Sequence, residues 1–188
     1  MQNRLIVGIT GPFGSGKSTA AKFFESKGFS KITLSSFLEE EAKKRGVKKT
    51  TRKILQDLGN ELRTRGGKGI LIRKTFEYLN KNKIEKAVID GIRNFGELEE
   101  LKKRSKNFVL LAILANRKVR FQRVRKLKNR ERLTPEIFRK LDIRDLGIGE
   151  KSTGLQGAYC MSVADIFLTN NKNKEHFFNK LEKIYQSL

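Results

Sequence analysis

Residues 11–18 read Gly11-Pro12-Phe13-Gly14-Ser15-Gly16-Lys17-Ser18, preceded by the apolar run Leu5-Ile6-Val7-Gly8-Ile9 and followed by Thr19 and Ala20-Ala21-Lys22-Phe23-Phe24. The spacing G-x-x-x-x-G-K-[ST] between a buried strand and an amphipathic helix is the context in which a loop cradles phosphate. The backbone N–H groups of Gly11, Gly14, Ser15 and Gly16 turn inward around phosphate oxygens, and the helix that carries Thr19 adds its positive end. Lys17 is then placed to reach the β- and γ-phosphates, and Ser18 to hold Mg²⁺. A tight turn without a nucleotide is the competing reading, and it explains the order strand, loop, helix less well.

Around this loop the chain reads as one domain over residues 1–188, large enough to bury its own core and too short for two. No linker, repeat or low-complexity tract divides it. The chain enters its first strand within a few residues of Met1, and no apolar run approaches the roughly 20 residues that span a bilayer. The expectation is a cytoplasmic protein with no membrane partner. One cysteine, Cys160, allows no internal disulfide, and one histidine, His176, offers no metal cluster.

Forty-two basic residues against twenty acidic ones give a formal charge of +22. Such a surface attracts nucleic acid through counterion release, and it equally collects nucleotides and phosphorylated metabolites. With no tryptophan and three tyrosines, base-stacking residues are scarce. A nucleic-acid partner is therefore admitted by the charge but not favoured by it.

Five short apolar runs predict strands at Leu5–Ile9, Lys31–Leu34, Lys86–Asp90, Phe108–Leu114 and Ala164–Leu168. Helical spacing occupies Ser36–Arg45, Arg52–Arg65, Ile70–Asn80, Glu97–Lys103, Val119–Lys128 and Lys174–Ser187. In the last of these, Phe177, Phe178, Leu181 and Ile184 share a face and read as core. Alternation of helices with near-continuous apolar strands implies an α/β fold with a five-stranded parallel sheet flanked by helices. Ligands in such a sheet lie beyond the strands' carboxyl ends. The residues at that rim are the loop 11–18, Ser35-Ser36, Asp90-Gly91-Ile92-Arg93, Asn116-Arg117 and Asn170-Asn171.

Asp90 and Arg93 bring a carboxylate and a guanidinium to the rim of the phosphate loop. The first suits Mg²⁺ or a proton, and the second suits a phosphate. Residues 115–130 carry eight basic residues and no acid, among them Arg120 and Arg123, one helical turn apart. Arginines that close over a nucleotide lower the barrier to phosphoryl transfer, so this stretch reads as a lid, with a solvated basic helix as the alternative. In residues 51–63, Ile54, Leu55, Leu58 and Leu62 form an apolar stripe. Arg52, Gln56 and Arg63 lie off it and are candidates to face an acceptor, although a plain surface helix gives the same pattern.

Several motifs occur in the same order as in nucleoside monophosphate kinases: 11–19, Asp90-Gly91-Ile92-Arg93 with Glu97, Arg120-Phe121-Gln122-Arg123, Arg144-Asp145-Leu146-Gly147, and Ala164-Asp165-Ile166 with Asn170. The chain resembles that P-loop family over nearly its whole length, and within it the dephospho-coenzyme A kinase-like proteins of archaea. Residues 52–63 are also similar to a segment of phage deoxynucleoside monophosphate kinases. The resemblance implies a three-layer kinase using ATP and Mg²⁺, with an acceptor-binding region at 35–80 and a lid at 116–145. It carries over Lys17, Asp90, Arg93, Arg120 and Arg123 as active-site residues, with Asn170 and Asn171 near the donor base. Two positions depart from the family: Ser35-Ser36 and Leu133-Thr134 stand where relatives have acidic residues.

The first departure bears on the acceptor. A neutral ribose hydroxyl, as on dephospho-coenzyme A, benefits from a general base. An anionic phosphate oxygen needs positioning and charge neutralisation instead. Ser35 and Ser36 cannot act as that base, which leaves Asp90 as the candidate for it, and the balance tips toward a nucleoside monophosphate acceptor clamped by Arg52, Arg63 and Arg93. The same fold acting on dephospho-coenzyme A, and a nucleic-acid-binding ATPase of another class, are the alternatives. No feature of the sequence selects an oligomeric state.

Overall fold

The computed structural model describes residues 4–127 and 133–188. Its strands are β1 (Leu5–Thr10), β2 (Ser30–Thr33), β3 (Lys86–Asp90), β4 (Phe108–Leu114) and β5 (Ile166–Thr169). The helices are α1 (Lys17–Ser26), α2 (Leu34–Lys44), α3 (Arg52–Gly66), α4 (Ile70–Lys81), α5 (Phe95–Arg104), α6 (Arg117–Val124), α7 (Pro135–Leu146), α8 (Gly157–Ser162) and α9 (Lys174–Gln186). The strands form one sheet in the order β2-β3-β1-β4-β5, with every pairing parallel.

The central strands are apolar throughout because helices cover both of their faces. On one side α1 and α9 pack Phe24, Phe177 and Leu181 against Val7, Ile9, Val88 and Leu111. The other side carries α2 to α5 and α8, with Leu38, Leu58, Ile72, Leu101 and Cys160 over Ile6, Ile89 and Leu110. A third, smaller cluster joins Phe13 of the phosphate loop to Val124, Leu133, Phe138 and Leu141, with Phe121 beside them. Full burial of a large apolar side chain contributes about 1.5–3 kcal/mol, so this satellite core is enough to seat α6 and α7 against the loop.

The chain leaves β1 toward β2 on one side of it and returns from β3 to β4 on the other. Ile9 pairs with Asp90, so β1 and β3 end side by side where these connections diverge. That divergence opens the crevice in which open α/β sheets bind ligands.

The five expected strands are present, with small shifts. β2 begins at Ser30, and Leu34 opens α2 instead of closing the strand, while β5 starts at Ile166 and not at Ala164. The expected helix over Val119–Lys128 is α6, which ends at Val124; Lys128 and Arg130 lie outside the described residues. The apolar stripe of α3 is only part-buried, since Leu58 is enclosed while Ile54, Leu55 and Leu62 keep some exposure. Helices α7 and α8 were not anticipated. Thr134 caps α7 by accepting from the Ile137 N–H, Pro135 takes the first turn, and the left-handed Gly147 ends it. Those three residues were the sequence signal for α7.

Candidate active site

The phosphate loop needs glycine at the positions the motif reserves for it. Gly11 and Gly16 have φ of +140° and +108°, where side chains are strained. A Cβ on Gly11 would strike the Ile113 carbonyl, and one on Gly16 the Asn170 amide. Lys17, which opens α1, is almost enclosed, and its Nζ donates to the carbonyls of Gly11 at 2.7 Å and Pro12 at 3.0 Å. Burial, reinforced by the nearby Arg93 charge, lowers its pKa to about 7.

Ser18 Oγ donates to Asp90 Oδ2 at 2.8 Å, joining the first turn of α1 to the end of β3. A hydroxyl and a carboxylate beside a phosphate loop are the hard oxygen donors that Mg²⁺ takes when nucleotide phosphates complete its shell. The residues present therefore fit that ion. Among the described residues no cluster of His, Cys, Asp and Glu suits a metal bound by side chains alone.

From this pair a cavity of about 400 Å³ runs across the sheet edge to α2 and α3. Its wall carries five cationic side chains, those of Lys17, Arg52, Arg63, Arg93 and Arg123. Ser35, Thr33, Leu38 and Leu55 line the end toward α2 and α3. Behind the wall, Asp145 of α7 lies 2.8 Å from Arg52 Nη2 and 3.1 Å from Arg93 Nε, both measured to Oδ1. Burial alone would raise the Asp145 pKa, but Arg52, Arg93 and Lys17 outweigh it and hold it at about 2. The Arg52 guanidinium also stacks on the Phe13 ring, 3.9 Å from its centroid.

A family model described as "AAA domain" matches residues 7–144. Over 184 residues the chain is 32% identical to a UPF0200 protein of Sulfurisphaera tokodaii, spanning 97% of each. The chain belongs to the UPF0200 family. Among solved structures, the UPF0200 chain is similar to shikimate kinase from Bacteroides thetaiotaomicron, with TM-score 0.60, 18% identity and 97% of each chain covered. It is also similar to Acinetobacter baumannii shikimate kinase in complex with shikimate, with TM-score 0.56, 18% identity, and 99% of this chain and 93% of that one covered. The fold is thus that of a P-loop kinase.

Within the UPF0200 chain, several expected site residues have other engagements. Arg120 is buried, its guanidinium spans both oxygens of Asp142, and it also donates to the Phe13 carbonyl at 2.9 Å. It braces the phosphate loop against α7 and is not free to sweep over a nucleotide. Arg63 gives Nε and Nη2 to Glu97 Oε1 at 3.0 and 2.9 Å, so the cavity receives only its flank. The other oxygen of Glu97 accepts the backbone N–H groups of Arg93 and Asn94, which fixes the loop after β3.

Asn170 donates from its side-chain amide to the Ser15 carbonyl at 2.8 Å, and its backbone carbonyl accepts from Arg123 Nη1 at 2.9 Å. Its side chain shapes the loop from behind. Asn171 accepts the Asn116 N–H at 2.7 Å and tethers the entry to α6. Gln56 lines the cavity and its Nε2 reaches the Leu141 carbonyl at 3.4 Å. Thr19 and Ser35 both line the same cavity. Asp142 and Asp145 were not among the expected site residues. Leu133-Thr134 carry no carboxylate, but α7, which starts directly after them, supplies Asp142 beside Arg117 and Arg120, and Asp145 beside Arg52 and Arg93.

Proposed function

We propose that the UPF0200 chain is an ATP- and Mg²⁺-dependent kinase that transfers the γ-phosphoryl group to the phosphate of a nucleoside or deoxynucleoside monophosphate. The observation that carries this reading is the composition of the cavity wall. Its cations are Lys17, Arg52, Arg63, Arg93 and Arg123, and its one carboxylate among the described residues, Asp90, is bonded to Ser18. A hydroxyl acceptor would want a base there, and Asp145, held at about 2, is too weak a base to serve. An acceptor that is already anionic wants the cations instead.

On this reading the phosphate loop holds the donor and residues 35–80 the acceptor, while α6 brings Arg123 and Val124 to the cavity. Mg²⁺, held by Ser18 and Asp90, would neutralise charge on the phosphates when bound. Lys17 and Arg123 face the donor phosphates, and Arg52 and Arg93 hold the acceptor phosphate in line. An acceptor oxygen forms the new bond to the γ-phosphorus as the bond to the β–γ bridging oxygen breaks, leaving ADP and a nucleoside diphosphate. Leu38 and Leu55 offer an apolar wall to the acceptor's base or sugar.

The test is an assay of purified protein with Mg·ATP and each common ribo- and deoxyribonucleoside monophosphate. The expected outcome is ADP together with one or more diphosphates. Phosphorylation of dephospho-coenzyme A alone would reassign the acceptor to a hydroxyl. ATP hydrolysis stimulated by oligonucleotides, with no small-molecule product, would remove the kinase reading altogether.

A further inference from the structure

The basic residues around the cavity fall into two groups by how they are held. Arg63 and Arg120 each commit two guanidinium nitrogens to a fully buried carboxylate, Glu97 or Asp142. Such forks satisfy the guanidinium and leave it little capacity for a ligand. Arg93 is held differently. Its Nε lies 3.1 Å from Asp145 Oδ1 without the alignment of a hydrogen bond, and its side chain makes no hydrogen bond among the described residues. The same Oδ1 atom is 2.8 Å from Arg52 Nη2. One oxygen therefore sits between two cations that arrive from different elements, α3 and the loop after β3.

We infer that Asp145 is the positioning residue of the acceptor-phosphate clamp, holding Arg52 and Arg93 side by side at the cavity wall so that a phosphate monoester meets both. The inference rests on the function proposed above. Asp145 is itself fixed from several directions. It lies in the last turn of α7, and its neighbour Arg144 pairs with Asp57 of α3 at 2.6 Å and with Glu150. Phe13 fixes the plane of the Arg52 guanidinium from below, and Phe13 belongs to the phosphate loop. The clamp is thereby registered against the donor loop, as in-line transfer requires. Asp145 touches neither reacting group and acts through the two arginines.

The effect of neutralising Asp145 separates positioning from mere charge balance. A carboxylate that only neutralised the arginines would compete with the ligand, and its removal would tighten phosphate binding. A carboxylate that positions them is missed, and binding weakens. The experiment is steady-state kinetics of wild type, Asp145→Asn and Asp145→Glu with each common ribo- and deoxyribonucleoside monophosphate as acceptor. In Asp145→Asn the acceptor KM should rise about tenfold, with the KM for Mg·ATP unchanged within about twofold. Asp145→Glu, which keeps the charge but moves it by one methylene, should fall between wild type and Asp145→Asn.

An acceptor KM that is unchanged or lower in Asp145→Asn overturns the inference, as does an equal rise in both KM values. If Asp145→Asn does not fold, Asp145→Glu carries the test: an acceptor KM raised about threefold with ATP unaffected supports positioning, and no change overturns it. If wild type phosphorylates none of these acceptors, while binding Mg·ATP, the proposed acceptor class falls and the clamp falls with it. If wild type is active and the variants match it, only the role of Asp145 is lost.

Discussion

Glu97 and Asp142 are fully buried, and each faces an arginine that is itself almost enclosed. Removing one partner from such a pair strands the other's charge, at a cost of about 3–5 kcal/mol. Glu97→Ala and Asp142→Ala should each lose stability on that scale in urea unfolding, and losses under about 1 kcal/mol would show that the pairs do not hold the loop and helix they join. Lys17 makes a different prediction. Its pKa in the folded protein lies near 7, below the ordinary value of 10.5, so between these two the unfolded chain binds more protons and stability rises with pH. On the proposed function, ATP phosphates would reverse the shift by favouring the charged amine. Binding of Mg·ATP at pH about 8 should take up close to one proton, and at pH about 6 almost none. Calorimetry in buffers of different ionisation enthalpy measures this directly, and equal uptake at both pH values would contradict the assignment to Lys17.

At the level of elements, strands β1, β3 and β4 were legible because each is an unbroken apolar run ended by a rim residue. The phosphate loop was legible because its glycines are demanded by backbone geometry close to other atoms. The lid was not. Helix α7 buries only one stripe, with Phe138 and Leu141 inside and Ile137 exposed, so its apolar period is weak even though Thr134, Pro135 and Gly147 mark its ends. Nor does charge alone show which arginines are saturated. Arg63, Arg93 and Arg120 look alike in sequence, and they differ because their carboxylate partners arrive from distant elements. Phe138 connects α7 to the phosphate loop and α6, its ring centroid lying 5.9 Å from Phe13 and 5.3 Å from Phe121. Phe138→Ala should cost about 3 kcal/mol and speed amide exchange in residues 135–146 more than in β1 or β4. Uniform acceleration across the sheet would mean that α7 unfolds only with the whole domain.

For the molecule as a whole, the formal charge of +22 sets the terms of stability. The ion pairs at its surface, such as Lys44 with Glu40 and Lys53 with Asp57, are exposed and contribute little. Repulsion among the remaining cations opposes the compact state and is screened by salt. Thermal midpoints should therefore rise by several degrees between about 20 and about 300 mM sodium chloride, and a flat or falling response would show that the excess charge is locally compensated. Among the described residues no helix is long and apolar enough to cross a membrane.

Asn170, at the end of β5, donates to the carbonyl of Ser15 and so completes the loop that opened the sequence. Local geometry and the motif's own glycines prepare that loop, but its final contact comes from more than a hundred and fifty residues further along the chain. As the polypeptide is synthesised, β1 and α1 emerge long before β5 can dock. The nascent chain thus carries the signature of a nucleotide site well before the site is complete, and on the proposed function its nucleotide affinity should be acquired late, as a report that the last strand has joined the sheet.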